Sequence, residues 1–161
     1  MKKRYLLALI LISSSLTFCV QHKNDSKETI QAISAGETYL KKFNNQEARD
    51  SLLTNIYIKG DSASYKELKD IYFLSGHTDD FLAPAMIMAN DYNYHEAFED
   101  VYRILHNVKM DSKSNKLADY YLLRAYEIDN IKSNSLMKER FGKAFPKRNS
   151  NEYWKTIHES N

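Results

Sequence analysis

Turn formers are scarce in this chain, with four glycines and two prolines serving 161 residues. A sheet protein needs a reversal roughly every 8–12 residues, so strands joined by tight turns have too little to work with. Helices need fewer reversals, and the apolar residues fall at helical spacing. Ala97, Phe98, Val101, Tyr102, Leu105 and Val108 follow one another at i+3 and i+4 positions and predict an amphipathic helix, the clearest of the chain. Ahead of it, Asn93 and Glu96 have the spacing of a capping box, with Asn in place of the usual Ser or Thr.

The rest of the chain reads as short helices of the same kind. Ser26 to Phe43 carries Ile30, Ile33, Leu40 and Phe43, and Asn44-Asn45 interrupts it. Gln46 to Lys59 follows, closed by Gly60. Asp61 or Ser62 caps a third helix ending at Gly76. Thr78-Asp79-Asp80 introduces a fourth, with Pro84 near its start. After the fifth, Lys109 to Asn115 forms a polar loop, and a sixth helix presents Leu117, Ala118, Tyr121, Leu122, Ala125 and Ile128. A seventh runs from Ile131 to Gly142, and Asn149 to Glu159 forms a last one with Trp154 and Ile157. The expected fold class is all-α, built of seven or eight helices in stacked antiparallel pairs.

The N-terminus predicts an address. Lys2, Lys3 and Arg4 precede the apolar run Tyr5 to Ile12, then Ser13 to Ser15, then Cys19, the one cysteine of the chain. That order is the pattern of a bacterial secretory signal. A spanning helix needs about 17–25 apolar residues, and this stretch is shorter and broken by serines. Ordinary cleavage could follow Ser15. Leu16-Thr17-Phe18-Cys19 resembles a lipobox, in which cleavage before Cys19 frees it for lipid attachment; Phe18 departs from the usual small residue. The lipoprotein reading is favoured because the cysteine stands where that pattern wants it. Residues 1–18 are thus expected as signal peptide, 19–28 as a flexible tether, and 29–161 as a single helical domain facing the periplasm or cell surface, or soluble there without the lipid.

Charge narrows the partners. Removing residues 1–18 takes away three cations and no acid, leaving 20 basic against 21 acidic side chains, so the apparent basicity owes much to the signal. Nucleic-acid binding wants a basic face, and no Lys/Arg block is read outside the first four residues. The expected partners are another protein and, through the lipid, a membrane. With no second cysteine, stability has to come from packing.

An internal repeat emerges when Gly60, Asn93 and Asp129 are aligned as turns. Four residues on stand Ser64, Ala97 and Ser133, which are small; eight on stand Leu68, Val101 and Met137; twelve on stand Tyr72, Leu105 and Phe141. Small residues let a neighbouring helix approach and larger ones fill the groove. In the same region, Ala118 to Asn130 (ADYYLLRAYEIDN) resembles the second helix of the Sel1-like branch of the tetratricopeptide repeats. There an alanine is followed by an aromatic pair, a basic residue, another alanine and a Gly-Asn turn. Asp129 replaces the glycine, and Lys69 stands where a glycine follows the leucine of the first helix. The resemblance covers residues 60–142. It implies stacked helix pairs, a curved surface and binding to other proteins.

Motifs for chemistry are sparse. The histidines stand at 22, 77, 95, 106 and 158; His95-Glu96 begins like a zinc-protease helix, but Glu99 occupies the second histidine position. Asp79-Asp80 and Glu99-Asp100 are adjacent rather than convergent carboxylates. The calcium-loop reading of Asp111 to Leu122 fails at Lys116 and Leu122. No G-x-S-x-G, S-x-x-K or phosphate-cradling loop occurs. No catalytic, cofactor or metal residue is therefore assigned. One position beyond the repeat's core residues runs a second stripe, Tyr65 and Phe73 on the third helix with Phe98, Tyr102 and His106 on the fifth. These five are the candidate protein-binding residues, since aromatic side chains anchor interfaces; the competing reading packs them against adjacent helices. The function expected is a non-enzymatic interaction module, an envelope scaffold or a toxin-neutralising immunity protein, the latter by analogy with small exported helical-repeat proteins. The alternative is a small carboxylate-dependent cell-wall hydrolase.

Overall fold

Gly60 shows how this chain turns. It sits in the left-handed region, φ 61°, and its N–H reaches back to the carbonyl of Ile56, closing the helix Gln46–Lys59. Asp61 then caps the next helix, its carboxylate accepting from the Ser64 N–H at 2.7 Å. A stop and a start thus share two adjacent residues. The computed structural model describes residues 34–107 and 112–158, and every α- or 3₁₀-helical element among them is assigned as follows. α1 is Ala35–Asn44, α2 Gln46–Lys59, α3 Ser62–Leu74, α4 Leu82–Asn90 after a 3₁₀ turn Thr78–Phe81, α5 His95–Asn107, α6 Ser112–Ile128, α7 Asn130–Phe141 and α8 Ser150–His158. The fold is all-α. Residues 1–33, with Cys19, the signal and the tether among them, lie outside the described residues.

α1 packs on α2 and α3, α3 and α4 meet through the 3₁₀ turn between them, and the chain then runs on through α4 on α5, α5 on α6 and α6 on α7. α5 lies between α4 and α6, α2 touches α3 and α4, and α6 carries both α7 and α8. Asp129 caps α7, its Oδ1 accepting from the N–H groups of Ile131 and Lys132 at 3.2 and 3.1 Å. The chain reverses there, so that Asp119 of α6 meets Arg140 of α7 across the hairpin.

The core follows the aligned positions. Ser64, Ala97 and Ser133 are buried, Leu68, Val101 and Met137 are buried, and Tyr72 and Leu105 are buried with Phe141 half-buried. Phe81, Ala85, Met88, Ala118 and Leu122 fill the space between these helices. Tyr65 and Tyr72 tilt against Phe81 at ring separations of 5.1 and 5.7 Å.

Three boundaries differ from expectation. The first helix, expected from Ser26, begins at Ala35, because Ser34 is extended and its hydroxyl accepts from the Glu37 N–H at 3.2 Å. Asn93 does not cap α5. It stands at φ 51°, while the Tyr94 N–H bonds to the Met88 carbonyl and the Glu96 side chain is taken by Lys69 and Tyr94. Asn tolerates the left-handed region better than other side-chain-bearing residues, and here it turns the chain out of α4. The polar segment expected as a loop is helical from Ser112, and residues 108–111 lie outside the described residues. Its first turn projects polar side chains, and periodicity of apolar residues carries no signal there.

Candidate protein-binding surface

The aromatic stripe does not form a surface row. Tyr65, Phe98 and Tyr102 are buried, Phe73 is half-buried against Phe81, and His106 alone is exposed, its ring stacked on Tyr102 at 5.2 Å. The reason is angular: α5 lies between α4 and α6 and offers both neighbours apolar side chains, so its buried arc extends one position beyond the repeat's core stripe. Packing against adjacent helices accounts for four of the five.

What these helices place among themselves instead is charge. Asp100 on α5 is fully buried, 0 % exposed. Its Oδ2 accepts from the Tyr65 hydroxyl at 2.9 Å, and Lys69 Nζ lies 2.8 Å from Oδ1. Lys69 also donates to Glu96 at 3.0 Å, and Glu96 accepts from the Tyr94 hydroxyl at 3.0 Å. Burial pushes the Asp100 carboxyl up, outweighing the pull of Lys69 and Tyr65. Burial works against the Lys69 charge too, yet Asp100 and Glu96 together hold it above its ordinary value. For Glu96, burial is overcome by the Lys69 hydrogen bond and charge, and the carboxyl is held below its usual range. The cluster ties α3 to α5 across residues that no local pattern connects.

A second cluster joins α5 to α7. Ser133 donates to Glu99 Oε1 at 2.9 Å, and His95 Nε2 stands 2.9 Å from the same hydroxyl. Since the serine proton goes to Glu99, His95 donates to the serine oxygen rather than accepting from it. A nucleophilic serine needs the opposite flow, and Ser133 is fully buried. This trio fastens helices. Farther along, Arg140 donates to Asp119 through Nε and Nη2, with Tyr153 of α8 donating to Oδ2 at 3.0 Å. Burial, then Asp119, pushes the Tyr153 hydroxyl up to about 12. Glu127 caps α8 by accepting from the Ser150 N–H and hydroxyl at 2.7 and 2.6 Å.

Exposed apolar side chains gather at the turns between one helix pair and the next. Tyr57 and Ile58 end α2, Tyr92 follows α4, and Ile128 and Ile131 flank the Asp129 turn. Ile58 is 73 % exposed and Ile131 86 %. The turns adjoin. Tyr92 donates to the Tyr57 carbonyl at 2.8 Å and lies against Gly60, leaving no room for a Cβ there. His95 at the start of α5 reaches Ser133 at the start of α7. These residues share the three turns aligned in the sequence, but their apolar members fall at different offsets from each turn, which hides them from a repeat-based search. Among the described residues no three His, Cys, Asp or Glu side chains converge as metal ligands, and no helix is long and apolar enough to cross a membrane. No protein family, curated protein or solved structure matches this chain.

Proposed function

We propose that the protein is a non-enzymatic, exported and lipid-anchored helical-repeat protein that binds another protein, as an envelope scaffold or a toxin-neutralising immunity protein. The observation that supports this best is the row of exposed apolar side chains at the turns of successive helix pairs, Tyr57, Ile58, Tyr92, Ile128 and Ile131. Single exposed apolar residues are ordinary, but these five share successive turns that the Tyr92–Tyr57 and His95–Ser133 hydrogen bonds link to one another. The Sel1-like resemblance of residues 118–130 and the secretory pattern of residues 1–19 lend the reading its class and address.

A pull-down with residues 19–161 from envelope extract of the source cell tests it. The expected result is specific capture of a protein, lost when Ile58→Asp and Ile131→Asp are combined, with an unchanged thermal melt. No capture, or capture indifferent to both substitutions, would contradict it. Co-expression with a cognate toxin separates the two uses, since an immunity protein relieves killing and a scaffold does not.

The hydrolase reading draws on one feature, the buried Asp100 with its raised carboxyl. Tyr65 and Lys69 close over that group, leaving substrate no evident approach to it. Release of muropeptides from purified cell wall, abolished by Asp100→Asn, would favour that reading over the first.

A further inference from the structure

The two ends of the helical domain differ in charge. Residues 34–107 carry seven Lys/Arg against twelve Asp/Glu, whereas residues 112–158 carry ten against five. Much of the excess lies from α7 to the start of α8, where six cations between Lys132 and Arg148 accompany one acid, Glu139. Arg140 is turned inward to Asp119, and Lys132 pairs with Asp129 in the α7 cap. Lys138, Lys143, Lys147 and Arg148 are exposed and make no ion pair among the described residues. Lys138 and Lys143 stand apart in the sequence, and Lys147-Arg148 is the one adjacent pair of the group.

α7 has two faces. Ser133, Met137 and Arg140 turn towards the neighbouring helices. Ile131, Asn134 and Lys138 follow at helical spacing on the opposite side. A cleft of about 510 Å³ opens there, lined by Asn134, Lys138, Gly142, Lys143 and Phe145. Its chemistry is two ammonium groups, one amide and a half-buried apolar ring. It continues the apolar edge at Ile131, one turn of α7 away.

We infer that this cleft receives an acidic segment of the partner protein, with carboxylates against Lys138 and Lys143 and an apolar side chain against Phe145. The inference rests on the protein-binding reading above and gives that partner its chemistry. Asn134 offers its amide to the segment's backbone. A long polyanion or an anionic membrane fits less well, because an extended negative surface would also meet the exposed part of the acidic excess of residues 34–107. A short acidic segment with an apolar anchor meets only the basic end and uses the ring.

Residues 19–161 titrated with a fluorescein-labelled peptide of alternating Glu and Leu, read by anisotropy, test the inference. Saturable binding is expected, weakening as salt rises. Combined Lys138→Glu and Lys143→Glu should weaken it about tenfold, Phe145→Ala should weaken it less, and Lys66→Glu on α3 should leave it unchanged. Equal binding by the double variant, or equal binding of a matched Gln and Leu peptide, overturns the inference. So does tighter binding of single-stranded DNA or phosphatidylglycerol vesicles that depends on the same lysines. A captured partner that ignores the double variant refutes the cleft and leaves the protein-binding reading standing, whereas absence of any captured partner refutes that reading itself.

Discussion

Around α5, large apolar side chains meet in a common core: Tyr65, Phe81, Met88, Phe98 and Leu122 are at most 2 % exposed. At the other end of the domain, α7 buries Ser133 and Met137, and the residue of α8 buried among those described is Ser150. There the helices are held by side-chain polar contacts, Asp119 with Arg140 and Tyr153, and Glu127 with Ser150. Burial of apolar area is the larger and non-directional stabilisation, so the centre carries the cooperative stability. Polar clasps are worth about 1 kcal/mol each when neutral and about 1.5–3 kcal/mol when charged. The end is therefore the part that yields first, and it is also the part with an uncovered helix face.

The largest expected effect lies at the centre. Phe98→Ala should cost about 3–5 kcal/mol in urea unfolding, the usual cost of deleting a buried ring. If the melt instead stays unchanged while partner capture is lost, Phe98 is a surface anchor and the burial contrast fails. Next comes the buried charge. Lys69→Met leaves Asp100 without its closest cation and should cost about 2–3 kcal/mol, short of the full penalty for a broken buried pair because Lys69 keeps some contact with water.

Asp100 also gives the centre a signature in pH. A carboxyl raised in the folded state binds its proton more tightly there than in the unfolded chain. Its contribution is present at low pH and is lost as pH rises through the raised value. Glu96, whose folded value is depressed, works the other way and loses its contribution as pH falls. Relative to Asp100→Asn, the unsubstituted chain should therefore lose stability as pH rises above the ordinary carboxylate range. Parallel stability–pH curves for the two proteins would contradict the burial of that group.

At the C-terminal end, Arg140→Ala should cost about 1–2 kcal/mol, and the loss should be local. Hydrogen exchange is expected to accelerate in α7 and α8 while α5 and α6 keep their protection. Uniform acceleration would mean that the two regions unfold as one. Smallest is Gly60→Ala at about 1 kcal/mol, from the left-handed backbone and the Tyr92 ring that must swing aside. Adding Tyr92→Ala should return part of it.

Local chemistry was legible in the sequence. The bounds of α2, set by Gly60, and the cap of α3 by Asp61 follow from backbone preferences of single residues. The buried faces of α3, α5 and α7 follow from spacing. What spacing does not contain is the width of a helix's buried arc, which depends on how many neighbours it has; α5 has one on each side, so Phe98 and Tyr102 went inward, and Tyr65 of α3 went inward against Phe81 and Tyr94. Nor does it contain long-range polar pairing. Tyr65 with Asp100, and Ser133 with Glu99, join residues whose types announce nothing until the fold brings them together. The α7 cleft was hidden for a third reason. Its lysines are separated in sequence, and only the open face of the last first-position helix gathers them.

The most direct test places a photo-crosslinking side chain at Ile131 in the source cell, with the same side chain at exposed Ala83 on α4 as the comparison. A single protein adduct from position 131 and none from position 83 is the predicted result. Adducts from both positions, or from neither, would contradict a specific protein-binding edge at the α6–α7 turn.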